Sequence, residues 1–253
     1  MQKILLSTAA ISLLLTSLSA DMIRIEGAVG SWNAEPSGTM NYEGSQKFSL
    51  DDTLGYDTEN ITYAWLLFKH PIPIIPNLRL EYNNLGYSGI SNDAFSWEGE
   101  DIGVGSTSSL DLTHYDAILY YNILDNTAWT TVDLGLGTKY IDGAFDISDP
   151  SDGYTYSSND SIILPMIYAR GRVEVPMTGL GLEADIKWIG YGGANAYDFR
   201  VKADYTLDIF IVEPLLEIGY RTLSLNIDAE DLDMNADTDI EFSGLYFGVG
   251  VQF

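Results

Sequence analysis

His114 is one of only two histidines in the 253-residue chain, and it stands between Asp111 and Asp116. A histidine beside a carboxylate is the usual means of moving a proton during hydrolysis. On a strand, Asp111 and His114 differ in parity and point to opposite faces, whereas His114 and Asp116 share a face and can interact. A second candidate is the run Asp231, Asp233, Asn235, Asp237, Asp239, which follows the spacing of a calcium loop. Ala236 stands where such a loop needs Gly, and Phe242 where it needs a bidentate Glu. This leaves weak, shared binding of divalent cations by an acidic rim rather than a specific site. With no Cys, thiolate metal sites and disulfides are excluded. No phosphate-cradling glycine loop or nucleophile elbow appears. Neither a cofactor nor a resident metal is expected.

The elements that would position these residues are strands. In Leu182-Glu183-Ala184-Asp185-Ile186-Lys187-Trp188 every second residue is apolar and the residues between are charged; Tyr197 to Tyr205 repeats the pattern. Such segments have one apolar and one ionic face. Both signs of charge share the ionic face, which suits a wet interior lined by ion pairs, while aromatic residues end the apolar face, as at a bilayer interface. The alternation predicts ten strands, over residues 22–33, 58–69, 77–89, 109–122, 128–142, 161–175, 180–191, 196–207, 213–227 and 239–253. The fold class is all-β, a transmembrane antiparallel up-and-down barrel. Eight strands is the competing count, if the first two segments are not strands.

Connection lengths support closure in a membrane. Short links at 70–76, 123–127, 176–179 and 208–212 alternate with longer ones at 34–57, 90–108, 143–160 and 228–238; 192–195 is the exception. Outer-membrane barrels show this asymmetry. The four long links hold eighteen acidic residues and one base, Lys47, whereas every other Lys and Arg after Lys3 lies on a strand. The formal charge of −25 argues against a nucleic-acid partner. Residues 1–20 read as a secretory signal peptide: Lys3, an apolar run from Ile4 to Leu18, then small residues before Asp21. The barrel is then 21–253.

Taking apolar positions as lipid-facing, parity predicts a lumen lined by Arg79, Glu81, Asp116, Asp133, Lys139, Arg170, Arg172, Glu174, Glu183, Asp185, Lys187, Asp198, Arg200, Lys202, Asp204, Glu217 and Arg221. Gly135, Gly137, Gly219, Gly248 and Gly250 share that face and either leave room for water or accommodate bulky neighbours.

The stretches PIPIIPNLRLEY (71–82), HYDAILYYNILDN and DLGLGTKYIDG (within 114–143), with the aromatic-terminated final strand, resemble a family of uncharacterised outer-membrane β-barrel proteins of Gram-negative bacteria. The resemblance covers the mature chain and implies a fold and a compartment, the cell outer membrane, but no activity. Leu245, Phe247, Val249, Val251 and Phe253 resemble the signal read by the barrel assembly machinery. The functional expectation is a structural barrel, or a narrow cation-preferring conduit for small solutes, with outer-membrane lipid as its partner. The alternative is a rim-located hydrolase, omptin-like or lipid-acting, using His114 and Asp116.

Overall fold

A computed structural model describes residues 23–42, 45–191, 194–207, 212–228 and 236–253. The leader at 1–20 lies outside the described residues, as do Asp231 and Asp233. Thirteen strands form among the described residues, the short β2 (Phe48–Ser49) included. Ten of them make the barrel wall: β1 (Arg24–Tyr42), β3 (Glu59–Lys69), β4 (Asn77–Ile90), β7 (Thr107–Thr127), β8 (Thr130–Asp149), β9 (Tyr154–Val175), β10 (Leu180–Tyr191), β11 (Ala194–Thr206), β12 (Glu213–Ile227) and β13 (Ala236–Gln252). Each wall strand pairs antiparallel with the next, and β13 pairs with β1 from Glu26↔Gln252 to Tyr42↔Ala236, so the sheet closes on itself. Backbone bonds between Ile25 and Phe253 complete the seam. The eight-stranded alternative fails because β1 and β3 are both full wall strands that pair over eleven residues.

The wall is taller than alternation in its apolar segments implied. Residues 143–149 and 154–160, expected in a loop, continue β8 and β9 as a paired hairpin that reverses only around 150–153. Likewise β1 runs on to Tyr42, and 123–127 belongs to β7, with register shifts after Asn122 and a reversal at Ala128 and Trp129. The extensions of β1, β8 and β9 alternate too, but with polar residues, Ser, Thr, Asn and Asp among them, on the outward side, which imitates a loop in composition.

A change of polarity along each tall strand explains the pattern. On β8, Leu134 and Leu136 are exposed and Asp133 and Lys139 are buried; farther along, Ile141, Phe145 and Ile147 are buried and Asp146 is exposed. On β12, Leu216, Ile218 and Tyr220 face out beside inward Glu217 and Arg221, then Leu223, Leu225 and Ile227 turn inward. β4, β7, β9 and β13 invert in the same way. Parity never changes; the solvent outside does. One half of the barrel therefore has an apolar exterior and an ionic interior, and the other half reverses both.

The apolar exterior band is bounded by aromatics. On β11 it runs from Tyr197 to Tyr205, roughly 26 Å of strand at ~3.3 Å per residue, or about 20 Å of height at the tilt of membrane strands. Tyr82, Tyr115 and Tyr140 adjoin one another at its upper edge.

Two inserted segments fill the inverted half. Phe48, Leu50, Leu54 and Tyr56 follow β1, and the short hairpin of β5 (Phe95–Trp97) and β6 (Glu100–Ile102) supplies Phe95, Trp97 and Ile102; all are buried. Asp149 anchors the second insert: its carboxylate accepts from the Gly103 N–H (2.7 Å) and from the N–H and hydroxyl of Ser151 (2.8 and 2.6 Å). The Ser151 hydroxyl, foremost, and these N–H donors lower its pKa to about 2. A depressed carboxylate stabilises at pH above its ordinary value near 3.8 and loses that contribution as pH falls toward 2. Proteolysis of the 91–106 segment should accordingly accelerate below about pH 4 in the native chain. Asp149→Asn should be cut faster at neutral pH, without that acid step; equal cleavage of the two chains at pH 7 would refute the anchor.

Candidate functional site: an ionic plug beneath an apolar cavity

The ionic half of the interior is a connected network. Lys187 Nζ donates to Glu81, to Asp116 (3.0 Å) and to Asp198 (2.8 Å), joining β10 to β4, β7 and β11. Lys139 holds both oxygens of Asp116 (2.7 and 2.8 Å), and Arg221 holds both of Asp198 (2.9 and 2.7 Å). Arg200 bridges Glu81 (2.6 Å) and Asp185 (2.9 Å), and Arg79 donates to Glu81 (2.6 Å). Nearer the end that carries Ile23 and Phe253, Arg170 links Asp133 (2.7 Å) to Glu183 (2.6 Å), Arg172 chelates Asp204, and Lys202 meets Glu217 (2.9 Å).

The residues expected at the lumen are thus all placed inward, and sixteen of the seventeen are buried; Glu174, whose side chain is 37% exposed, lies near the turn end beside Arg172. Buried charges survive only when paired and hydrogen-bonded, and here nearly every one has several partners. Glu81, Asp116 and Asp198 offer oxygens within 4.8 Å of one another, a spacing that suits a metal ion, but the Lys187 ammonium already bonds to all three.

Aromatic side chains occupy the remaining space. Tyr63 (2.7 Å) and Trp65 (3.0 Å) both donate to Glu217, and the Trp65 ring also lies against Arg79 and Lys202. Gly219 admits the Tyr246 ring, which would stand 2.7 Å from a Cβ there, and Gly248 lies against the Tyr63 hydroxyl. Of the two roles open to these glycines, the structure shows accommodation of neighbours. Tyr63 and Trp65 were not among the residues expected inside, nor was Glu26, which is buried beside Arg24 (3.2 Å). Arg24 and Glu26 share strand parity, and that was the available signal.

His114 and Asp116 do not form the expected pair. Both face inward on β7, but Asp116 is held by lysines and neither His114 ring nitrogen has a hydrogen-bond partner among the described residues. Nor do they lie at a rim. His114, fully buried, is flanked by Asn83 and Ile141 at the level where the interior changes from ionic to apolar.

Above that level a half-open, mostly apolar cavity of about 240 Å³ is lined by Met40, Trp97, Leu110, Leu112, Ile141, Phe145, Tyr156, Ile162, Leu225, Ile227 and Ile240, with Ser158, Asp160, Ser161 and Thr238 among its polar lining. At the acidic end, Asp237 accepts a hydrogen bond from Asn41 (2.9 Å). On the outer wall Leu245, Phe247, Val249, Val251 and Phe253 are all exposed.

No protein-family model matches the chain, and no curated protein matches it. Among solved structures it is similar to a major outer membrane protein from Thermus thermophilus (11% identity, TM-score 0.40, 92% of this chain and 100% of that one). It is also similar to an outer membrane channel from Pseudomonas putida (14%, 0.35, 92% and 96%) and to the P. putida toluene transporter TodX (7%, 0.31, 93% and 91%). Likeness at this level assigns no role to the chain.

Proposed function

We propose that the protein is an integral outer-membrane barrel that is closed at rest: a structural element of the membrane rather than a standing pore or a hydrolase. The closed edge and the aromatic-bounded apolar band support membrane insertion, because a spanning sheet must satisfy every backbone group. The observation that carries closure is the plug: Lys187 and Lys139, 0% and 1% exposed, sit across the interior bonded to their carboxylates, out of reach of solvent. The exposed apolar row of β13 suits recognition by the barrel assembly machinery during insertion. The acidic residues of the outer connections fit loose association with divalent cations.

Planar-bilayer recording tests this reading. The purified native barrel should show no steady conductance, whereas a variant that empties the plug, such as Lys139→Ala with Asp116→Ala, should conduct. A steady current through the native protein would overturn closure. If that current were carried by cations more strongly as salt is lowered, the acidic mouth would be acting on a true conduit.

A further inference from the structure

The cavity above the plug has features of a binding site rather than a packing flaw. Its walls are mostly apolar, and at about 240 Å³ it exceeds the ~150 Å³ engineered cavity that stays dry and takes up benzene. Trp97 lines it with an indole N–H that is buried and has no hydrogen-bond partner among the described residues. A buried donor left unpaired carries a desolvation cost that a ligand's acceptor oxygen would remove.

The wall beside the cavity is also interrupted. Among the described residues the ladder between β9 and β10 ends at Ile167↔Trp188. The next residue outward-facing on β9 is Pro165, which has no N–H to offer either neighbour. Beyond it β9 continues to Tyr154 while β10 stops at Tyr191. The cavity is lined from β9 and from β12 and β13, but among the described residues by no side chain of β10 or β11. Trp188 is outward-facing at the upper border of the apolar band, so the interruption begins where hydrocarbon gives way to headgroups. Asp160 lines the cavity, so anionic molecules are disfavoured.

We infer that this cavity binds an uncharged amphiphile, one medium-length alkyl chain carrying a hydrogen-bond acceptor such as an alcohol or ester oxygen, that enters from the outer-leaflet side of the barrel above Pro165. The alkyl chain fills the space between Leu112, Ile162 and Ile240, and the oxygen accepts from Trp97. Fatty carboxylates are excluded by charge although they fit by size. The inference is independent of whether the plug below ever opens.

The test is photolabelling of the full barrel in phospholipid nanodiscs with a diazirine-bearing octanol, with adduct positions read by mass spectrometry. Saturable adducts should fall on the segments around Tyr156, Ile162, Leu225 and Ile240, and free octan-1-ol should compete them away where octanoate does not. Leu112→Trp and Ile162→Trp, each checked for folding by heat-modifiable migration, should lower saturable labelling by about tenfold by filling the space. Trp97→Phe should weaken labelling while leaving the cavity open. Adducts confined to the lipid-facing side chains, or cavity adducts undiminished in both Trp variants, would overturn the site; competition by octanoate equal to that of octanol would overturn the selectivity for uncharged ligands.

Discussion

Lys187→Met should destabilise the folded barrel by about 3 kcal/mol, the low end of the ~3–5 kcal/mol range for orphaning a buried charge. Its ammonium bonds to three carboxylates on three other strands, and methionine fills the space without the charge. The low end applies because Lys139, Arg221 and Arg200 keep their own contacts to those same carboxylates. Urea titration followed by heat-modifiable migration measures the loss. Adding Glu81→Gln should recover a good part of it by removing one uncompensated charge, a coupling expected only of groups in direct contact. A single variant as stable as the native barrel would mean that the interior is wet enough to screen its charges.

Neighbouring residues on β11 should respond in opposite ways to the same chemistry. Val201 lies on the exterior midway between Tyr197 and Tyr205, so Val201→Arg places a charge at the centre of the apolar band, at a cost of ~2–4 kcal/mol. Arg200 faces inward against Asp185 and Glu81, so Arg200→Leu costs stability by stranding those carboxylates, whereas Val201→Leu should change little. Should Val201→Arg prove harmless and Arg200→Leu fold as well as the native chain, the inside and outside of the barrel would be exchanged.

The ten strands and their inward faces were legible because β10 and β11 alternate charge with hydrocarbon side chains, a pattern that leaves no ambiguity of period. The upper barrel was not legible as wall. In Asp142-Gly143-Ala144-Phe145-Asp146-Ile147-Ser148 the alternation persists, but its polar members face water outside rather than ion partners inside. Composition alone makes that stretch resemble a loop. The slip of apolar parity on β12, from Leu216, Ile218 and Tyr220 to Leu223, Leu225 and Ile227, was the readable mark of the membrane's upper boundary. The cavity could not be read from sequence, because Trp97 and Met40 come from segments whose meeting depends on the Asp149 anchor and on closure. His114 was over-read: its nearness to Asp116 in sequence is real, but the lysines of β8 and β10 compete successfully for that carboxylate.

The ion network has a kinetic consequence. Strand pairing in this barrel is local in sequence apart from the β1–β13 seam, so hairpins can assemble one after another. The plug follows no such order, since Lys187 on β10 needs Glu81 on β4, across the lumen and 106 residues away. A half-assembled sheet would hold charges whose partners have not arrived, and those charges retain their water. Dehydration of the centre must therefore wait for the last strands, which makes closure a single late step and gives the inserting chain a hydrated core until the moment the seam forms.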